Sequence, residues 1–473
     1  MANDYDVIVI GAGHNGLITA TILSMHGLRV AVLDKNPRPG GLAGGWPGGS
    51  VFAYAIGLIP SELDEWLGLT EGIVHKPDPS WVELDEDQRP IIRWWRNLRL
   101  LARELMENGI EGINEFYSLI ERFWGCMKQR GLYYTGTPPS QGEAASVLDG
   151  CGVAEIVEKK SRTLINVYLG GREDLFLYPS MLDSNGFALA YYHQNMNRWN
   201  LPIGGMSRFA WRLYNRTRKA GAKVLLGKRV TGIQVERGKA SGVLLEDGRR
   251  IHSRTIVYAG SIPYLRYLID LPEYESSTLE KLSSKKYYVF RTDIILDKKP
   301  NPPIEDSWHG YPILVYWTKS GGGEYSYPTL ISGTIEGLHL VQVGGSKVRP
   351  DDPVAPGVEP RHVVWYESRG PFHQEECCLN LTGHPDHIPM KDPIMFDQRP
   401  LPGWGAYRTS IPCLYHGSAS SYPGGELNGV PGLNVALRTL SDLGVKPRIP
   451  FLTKAAYRRT EGYPPRKQWG MTC

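Results

Sequence analysis

Three glycines and one aspartate near the start of the chain have the types and spacing that bind a dinucleotide. Gly11, Gly13 and Gly16 form the sequence GAGHNG directly after the apolar run YDVIVI, and Asp34 lies 18 residues beyond Gly16. The first glycine permits a tight turn, the second lets a pyrophosphate approach the backbone, and the third lets helix and strand pack closely. A carboxylate at the end of the next strand accepts hydrogen bonds from the ribose of an adenosine. We therefore predict a dinucleotide site, whose ligand this pattern alone does not identify.

A second glycine-rich segment, KNPRPGGLAGG, follows Asp34 closely. Gly40 and Gly41 would let the chain pass close to the middle of a long cofactor, because glycine has no side chain to obstruct the approach. Taken alone, the same segment also fits a surface loop.

The elements that must position these residues form a β-α-β unit. Residues 5–10 and 29–34 are short runs of strand-forming residues, and a helical pattern of apolar residues lies between them. A similar character returns at 202–260, where a helix from about Met206 to Ala220 precedes several strand-like segments. The segment between these two regions is largely helical. Residues 280–400 show the alternation typical of a second sheet, with strands predicted at 287–296 and 312–317 and a turn predicted at the glycines of 321–323. Another helical stretch follows the glycine-rich segment that begins at Gly417.

Composition favours a small-molecule enzyme. The 473 residues have room for two or three domains at roughly 150 residues each. The charge balance is 53 basic minus 49 acidic residues, or +4, which is too small to create the basic surface that nucleic acid requires. No run of about 18 apolar residues occurs, and the start MANDYDVIVIGAG lacks a basic leader. We therefore predict a cytoplasmic protein that does not bind nucleic acid.

The cysteines show no ligand or redox spacing. They lack a CxxC motif and Cys/His clusters, so we predict reduced, mostly buried thiols and no metal site. For the adjacent pair, a redox role is an alternative to ordinary packing. The six cysteines are Cys126, Cys151, Cys377, Cys378, Cys413 and Cys473.

Three blocks of the sequence resemble the FAD-binding blocks of the phytoene desaturase-like flavoproteins. That family belongs to a wider group that contains monoamine oxidases and carotenoid ketolases. The blocks are VIVIGAGHNGLITATILSMHGLRVAVLDKNPRPGG, then NLPIGGMSRFAWRLYNRTRKAGAKVLLGKRVTGIQV with SGVLLEDG, and finally LYHGSASSYPGGELNGVPGLNVA. They occur in the order of the family and span the chain from start to finish.

The resemblance implies the fold class and the cofactor. We expect an α/β protein with a Rossmann-like FAD-binding domain, three-layered as in glutathione reductase, and an interleaved α+β substrate domain. The predicted boundaries are 1–60, 202–262 and 405–445 for the FAD-binding domain, 61–201 and 263–404 for the substrate domain, and 446–473 for a C-terminal tail.

The resemblance also implies which residues hold FAD. Gly11, Gly13, Gly16 and Asp34 would bind the ADP half, and Val230 would meet the adenine through its backbone. The C-terminal block would wrap the ribityl chain and pyrophosphate. The predicted FAD-binding residues are Gly11, Gly13, Gly16, Asp34, Gly40, Gly41, Gly205, Met206, Val230, Gly417, Gly424, Gly425 and Gly429. The chain departs from many relatives in having Leu42 where they have arginine, so any contact made by that arginine must be lost or replaced.

Few side chains qualify for the reacting centre. His193 lies just upstream of the GGM block, where several relatives also have a histidine, so it could face the flavin and move a proton. The alternative is a histidine that is hydrogen-bonded within a domain junction. Tyr191, Tyr192, His416 and Tyr422 are predicted to line the substrate pocket, although tyrosines beside such turns are as often packing residues.

We predict an FAD-dependent oxidoreductase that desaturates or oxidises an organic small molecule by hydride transfer to flavin N5. Oxygen, a quinone or another acceptor would reoxidise the flavin. The 13 Trp and 26 Tyr against 10 Phe favour a partly polar biosynthetic intermediate over a long carotenoid, and an isoprenoid substrate stays open. The alternatives are an amine oxidase acting on a C–N bond and a flavin-free lipid chaperone of the Rab-escort type. Peripheral contact with a membrane is also left open.

Overall fold

A parallel sheet built from distant parts of the chain is the centre of the fold. The computed structural model describes residues 4–45, 50–84, 89–176, 181–194, 197–300, 313–317, 329–335, 337–345 and 358–462. The strands in these ranges are β1 (Tyr5–Ile10), β2 (Val30–Leu33), β3 (Val74–His75), β4 (Val82–Leu84), β5 (Pro90–Arg93), β6 (Leu201–Pro202), β7 (Lys223–Leu225), β8 (Val230–Glu236), β9 (Lys239–Leu245), β10 (Arg250–Tyr258), β11 (Phe290–Leu296), β12 (Ile313–Trp317), β13 (Thr329–Ile335), β14 (Leu338–Gly345), β15 (Val363–Arg369) and β16 (Leu414–His416).

Half of the described α-helices lie between residues 98 and 193, which we call the helical segment. The helices are α1 (His14–Met25), α2 (Ser61–Leu67), α3 (Leu98–Glu107), α4 (Ile113–Gln129), α5 (Gln141–Asp149), α6 (Glu155–Glu158), α7 (Ser161–Tyr168), α8 (Glu173–Phe176), α9 (Phe187–His193), α10 (Met206–Lys219), α11 (Glu273–Ser284), α12 (Pro371–Cys378), α13 (Val430–Asp442) and α14 (Lys454–Glu461). None of the described helices combines the length and apolar character needed to cross a membrane.

The first sheet has the order β7-β2-β1-β10-β9-β8, with β16 paired to β10. The pairs β1–β2, β1–β10, β2–β7 and β10–β16 are parallel, whereas β8, β9 and the start of β10 are antiparallel. Strands near the start, the middle and the end of the chain therefore share one sheet. The predicted domain boundaries are compatible with this pairing and stay a prediction.

The two faces of this sheet are both buried, and alternation along the strands divides them. Val7 and Val9 belong to the apolar core shared with α1, α10 and α13. Ile8 and Ile10 point the opposite way, into a second core shared with β8 and β9. Because successive side chains of a strand face opposite sides, a strand buried on both faces must be apolar throughout. The result is three layers, and the predicted fold class is confirmed.

A second sheet of mainly antiparallel strands has the order β15-β11-β14-β13-β12-β4-β5. Its strand β11 pairs with β14 and with β15, and both pairs are antiparallel. The predicted strand at 287–296 is thus present as Phe290–Leu296, and the predicted strand at 312–317 as Ile313–Trp317. The predicted turn at 321–323 lies outside the described residues.

The helical segment contains a cross-link that corrects the cysteine prediction. Cys126 in α4 and Cys151 after α5 form a disulfide with an S–S distance of 2.09 Å, and Cys413 is disulfide-bonded as well. The expectation of six reduced thiols was wrong, because cysteines 25 residues apart in sequence meet when α4 and α5 pack together. Within the described residues, Cys377 and Cys378 are the free cysteines.

The end of α13 is fixed by a buried carboxylate. Asp442 accepts hydrogen bonds from Arg408 at 2.5 Å, from Arg438 at 2.7 Å and from the hydroxyl of Tyr415 at 2.8 Å. The two arginine side chains are 3% and 2% exposed. Burial of two guanidinium groups is tolerated only when a carboxylate compensates their charge. This network therefore holds α13 against the loop that precedes β16.

We predict that Asp442→Asn lowers the free energy of unfolding by about 3 kcal/mol, because it leaves two buried cations without their counter-charge. Chemical denaturation of both proteins measures the difference. The matched control is Glu107→Gln, whose partner Arg103 is 77% exposed and whose own side chain is 61% exposed. That exposed pair should contribute less than about 1 kcal/mol. Equal losses in the two variants would contradict the assigned role of Asp442.

Candidate functional site

A cavity of about 550 Å³ lies where the two sheets meet, and residues from the whole length of the chain form its wall. From the N-terminal part come Gly11, Gly13, Asp34, Gly40 and Gly41. From the middle come Val230 and Tyr258, and from the C-terminal part come Ala419, Glu426 and Leu427. The volume is within the range of sites that bind cofactors and small molecules.

The two glycine-rich turns lie side by side at one end of this cavity. The amide of Gly40 donates to the carbonyl of Ala12 at 2.8 Å, and Gly13 and Gly40 form a parallel bridge. A Cβ added to Gly13 would meet nothing within 4 Å, so the backbone of this turn is open to the cavity. Gly11 has a φ of +109°, a conformation that side chains disfavour. The chain therefore presents bare backbone to a ligand at this point.

Two other predicted glycines serve packing. A Cβ on Gly16 would lie 2.0 Å from the carbonyl oxygen of Gly11, and one on Gly40 would lie 2.5 Å from the Cβ of Ala210 in α10. Gly16 thus allows α1 to approach β1, as the motif requires. Gly40 allows its turn to lie against α10 while it also lines the cavity.

Asp34 is positioned by the backbone around it. Its Oδ2 accepts from the amide of Ala12 at 2.7 Å, and its Oδ1 accepts from the amide of Asn36 at 2.8 Å. Burial raises the pKa of this carboxyl, although both amides act in the opposite direction. Val230 lies on the same wall of the cavity. The carboxylate is therefore held rigidly beside the first glycine turn.

The predicted glycines of the C-terminal block are not among the described residues that line the cavity. Added Cβ atoms would lie 2.3 Å from Val435 at Gly417, 2.3 Å from Met390 at Gly424 and 2.3 Å from Asp386 at Gly425. At Gly429, whose φ is +75°, the nearest atom would be Ile18 at 2.6 Å. These glycines permit close packing, and their predicted contact with a cofactor stays a prediction. Their neighbours Ala419, Glu426 and Leu427 reach the cavity instead.

Gly205 and Met206 likewise lie outside the described cavity wall. Gly205 has a φ of +82° and precedes α10, and Met206 is buried in the first turn of that helix. Their effect on the site is indirect, because α10 carries the alanine that packs against Gly40.

His193 is buried away from the cavity, among aromatic rings. Its ring centroid lies 5.0 Å from that of Phe176, 5.5 Å from that of Phe116 and 6.4 Å from that of Trp94. Its Nε2 is 2.7 Å from the carbonyl oxygen of Phe176, and burial lowers the pKa of the imidazole to about 4. In α9, His193 is directed among these aromatic rings, and its predicted place beside a flavin stays a prediction. This geometry favours a packing and hydrogen-bonding role.

Of the four residues predicted to line a substrate pocket, Tyr192 lies on the cavity wall. Its hydroxyl donates to Oδ2 of Asp386 at 2.8 Å. The other three are buried and are not among the described residues of the cavity wall, so their role in a substrate pocket stays a prediction. The hydroxyl of Tyr191 donates to the carbonyl of Gly425 and that of Tyr422 to the carbonyl of Leu132, both at 2.8 Å, and His416 lies between Oγ of Ser421 and the carbonyl of Trp404.

A cluster of buried titratable groups on the cavity wall was not predicted. His14, His384, His387 and Glu426 all line the cavity. Burial lowers the pKa of His14 to about 4 and the pKa of His384 and His387 to about 3, whereas burial raises the pKa of Glu426 well above its ordinary value. The three imidazoles are therefore uncharged near neutral pH, and burial favours the neutral form of Glu426. In the sequence, this cluster could have been found from the motif GHPDH at 383–387 and from the histidine inside GAGHNG.

Two atoms of this cluster have no hydrogen-bond partner among the described residues: Nε2 of His14 and Nδ1 of His387. Behind them, Arg399 is fully buried and donates to the carbonyls of Ile388 and Ala419. Buried polar atoms without partners are rare in native proteins, and a bound ligand is one of the common explanations. Both nitrogens are themselves buried, so this part of the wall is packed without satisfying every polar atom.

Aromatic side chains line another section of the wall. Tyr54 and Trp199 are stacked with ring centroids 6.4 Å apart, and the guanidinium of Arg291 lies 4.1 Å from the centroid of the Tyr54 ring. Tyr287 lines the cavity in the segment before β11, the strand that also carries Arg291. The second sheet thus contributes the cation of Arg291, and segments outside the sheet contribute the aromatic rings.

We predict that the stability of the ligand-free protein falls as the pH drops below 6.5. The pKa of His384 is 6.5 in an ordinary environment and about 3 in the folded protein, because burial and Arg399 disfavour the charged form. Between these values the unfolded chain binds a proton that the folded chain does not, so the loss is about 1.4 kcal/mol per pH unit for this residue. His384→Gln should reduce the slope by that amount in denaturation curves taken from pH 6 to pH 4.5. Identical slopes in the two proteins would contradict the assignment.

Comparisons with known proteins agree with this geometry. Residues 6–364 match the family model described as "FAD dependent oxidoreductase". Prolycopene isomerase 1 of an Oncidium hybrid cultivar is 24% identical over 97% of this chain and 87% of that protein. An oxidoreductase from Methanosarcina mazei has the same fold, with a TM-score of 0.53, 15% identity and coverage of 91% of this chain and 98% of that chain. Cyclohexylamine oxidase from Brevibacterium oxydans matches with a TM-score of 0.50, 18% identity and coverage of 92% and 97%.

These matches confirm the resemblance to the phytoene desaturase-like flavoproteins. The two likenesses to solved structures concern the fold. The family match spans well over half of the chain and includes both glycine-rich turns and Asp34. The chain therefore belongs to the FAD-dependent oxidoreductase family, and FAD is its cofactor.

Proposed function

We propose that the cavity holds FAD with its ADP half at the end formed by Gly11, Gly13 and Asp34. Gly13 leaves the backbone open, so the pyrophosphate can approach the start of α1, where free N–H groups and the helix dipole favour an anion. Asp34 would accept from the ribose hydroxyls, and Val230 would contact the adenine. Gly40 and Gly41 would lie beside the middle of the cofactor.

The observation that carries this proposal is the convergence of three distant stretches on one cavity. Residues near 11–41, 228–230 and 419–427 share its wall. A fortuitous surface pocket has no reason to combine the open glycine turn, the positioned carboxylate and unpartnered imidazole nitrogens. The residues present therefore fit an elongated nucleotide cofactor.

We further propose that the reaction is the oxidation or desaturation of a mainly apolar small molecule. When bound, FAD supplies the hydride acceptor, so the protein needs no separate catalytic triad. The chain contributes a wall that includes His14, His384 and His387, whose imidazoles burial keeps uncharged near neutral pH, and Glu426, whose neutral form burial favours. Such a wall suits a mainly apolar substrate because it presents no imidazolium charge to it.

The aromatic section of the wall supports an unsaturated substrate. Tyr54 and Trp199 offer flat apolar faces on which conjugated or allylic carbon can pack, while their polar ends tolerate a hydroxyl group. The similarity to a prolycopene isomerase points in the same direction, toward an isoprenoid. An ammonium substrate is less suited, because the Arg291 guanidinium lies over Tyr54 in the same section. Amine oxidation is thus the second candidate, favoured by the likeness in fold to cyclohexylamine oxidase.

We predict that a polyprenol bleaches the oxidised flavin under anaerobic conditions and that cyclohexylamine does not. Stopped-flow absorbance in the flavin band measures the reduction, and mass spectrometry of the product shows the loss of two hydrogens. Reduction by the amine alone would replace this proposal with amine oxidation. Peroxide formed on admission of air would identify oxygen as an acceptor, whereas a quinone requirement would identify another.

We predict that Gly13→Val abolishes retention of FAD, because the new side chain occupies the space where the pyrophosphate passes. The flavin-to-protein absorbance ratio after purification measures retention, and circular dichroism checks that the variant is folded. The matched control is Gly125→Val on the exposed side of α4, where an added Cβ also meets nothing within 4 Å. A fully loaded Gly13→Val protein would overturn the proposed position of the cofactor.

A further inference from the structure

Two adjacent cysteines, Cys377 and Cys378, end α12 at the cavity. Their sulfur atoms are 3.0 Å apart, which is closer than ordinary contact between unbonded sulfurs and about 1 Å longer than a disulfide bond. Cys378 lines the cavity, whereas Cys377 is directed toward its edge and is partly buried. The cofactor-binding motifs do not account for this pair.

The last turn of α12 is attached to the segment that follows Asp34. The side-chain amide of Asn36 donates to the carbonyl of Cys377 at 2.9 Å, and the ammonium of Lys35 donates to the carbonyl of Glu376. The backbone N–H of Asn36 donates to the Asp34 carboxylate. A change in the backbone of this helical turn therefore reaches the carboxylate that is placed at the ribose.

The surroundings make the two sulfurs unequal. The neighbouring Cys378 sulfur and the Lys35 ammonium lower the pKa of Cys377, while the Cys377 sulfur and burial raise the pKa of Cys378. A partly exposed thiol of lowered pKa beside a thiol of raised pKa is the arrangement by which dithiols react with oxidants.

We propose that Cys377 and Cys378 form a redox-active dithiol whose closure to a disulfide weakens FAD binding. Hydrogen peroxide is the oxidant. The Cys377 thiolate attacks one peroxide oxygen, the O–O bond breaks, and the departing oxygen leaves as water once protonated, so that Cys377 becomes a sulfenic acid. The Cys378 thiol then attacks that sulfur, gives up its proton and expels a second water. In total, two thiols and one peroxide become one disulfide and two waters.

The geometry of a disulfide between Cys377 and Cys378 connects its formation to the cofactor site. Adjacent Cα atoms are about 3.8 Å apart across a trans peptide, below the 4.4–6.8 Å that disulfides usually span. The bond therefore requires the last turn of α12 to rearrange, and the carbonyls of this turn hold Lys35 and Asn36. Such a bond is also more easily reduced than an unstrained one, so the change is reversible. By reciprocity, bound FAD must make closure less favourable.

The test begins with the reduced holoprotein, treated with hydrogen peroxide and then alkylated. Trypsin releases residues 370–391, which contain both cysteines and no others. We expect this peptide to lose two hydrogens and to escape alkylation, and dithiothreitol to restore both thiols. Apoprotein should close at lower peroxide concentrations than holoprotein. FAD titration of the oxidised and reduced apoprotein should show affinity about tenfold weaker after oxidation, within the range of coupling between linked sites.

Cys377→Ser is the matched variant, because it removes the partly buried thiol and leaves the cavity wall intact. Its affinity for FAD should equal that of the reduced protein and should not respond to peroxide. The proposal is overturned if the peptide keeps two thiols or proceeds to sulfinic acid without closing. It is also overturned if closure leaves FAD affinity unchanged, or if Cys377→Ser loses affinity on oxidation to the same extent. The inference rests on the proposed position of the ADP half at Asp34, which the Gly13→Val variant tests separately, and not on the substrate.

Discussion

The contact between two bare stretches of backbone is the constraint on which the site depends. The turn after β1 and the turn after β2 lie side by side, joined by the hydrogen bond from the Gly40 amide to the Ala12 carbonyl. Neither turn could approach the other, or a pyrophosphate, if side chains stood at these positions. The packing of α1 and α10 holds the two turns together, because Gly16 admits the helix and Gly40 admits Ala210. The packing around the cavity thus leaves a short length of backbone accessible to a ligand.

The parts of this arrangement that rest on local signals could be predicted from the sequence. The β-α-β unit has alternating strand runs, a glycine turn and a terminal carboxylate in register, and each signal lies within about 30 residues, the usual size of such a unit. The helix at 430–442 and the strands of the second sheet were likewise predicted close to their observed bounds. These elements depend on periodicity and capping, which neighbouring residues determine.

The differences between the predicted and the observed positions of site residues concern contacts between elements. His193 precedes the GGM block by only a few residues, yet α9 turns it toward Phe116 and Phe176 instead of the cavity. Nearness in sequence does not determine which way a side chain points when its residue lies in a helix. The C-terminal glycines pose a different problem, because a glycine needed for packing and one needed by a cofactor have the same sequence signature. The histidines of GHPDH were missed since their importance follows only from their place on the cavity wall.

The disulfide between Cys126 and Cys151 makes part of the fold depend on the environment in which the chain is produced. The bond closes a loop of 25 residues within the helical segment. In the chain-entropy account, a loop of this length restricts the unfolded ensemble by about 3 kcal/mol. A strongly reducing medium would remove that restriction from the helices, and it would also open the disulfide of Cys413, which directly precedes β16 of the parallel sheet. The two glycine turns near the start of the chain contain no cysteine and would lose no covalent restraint of their own.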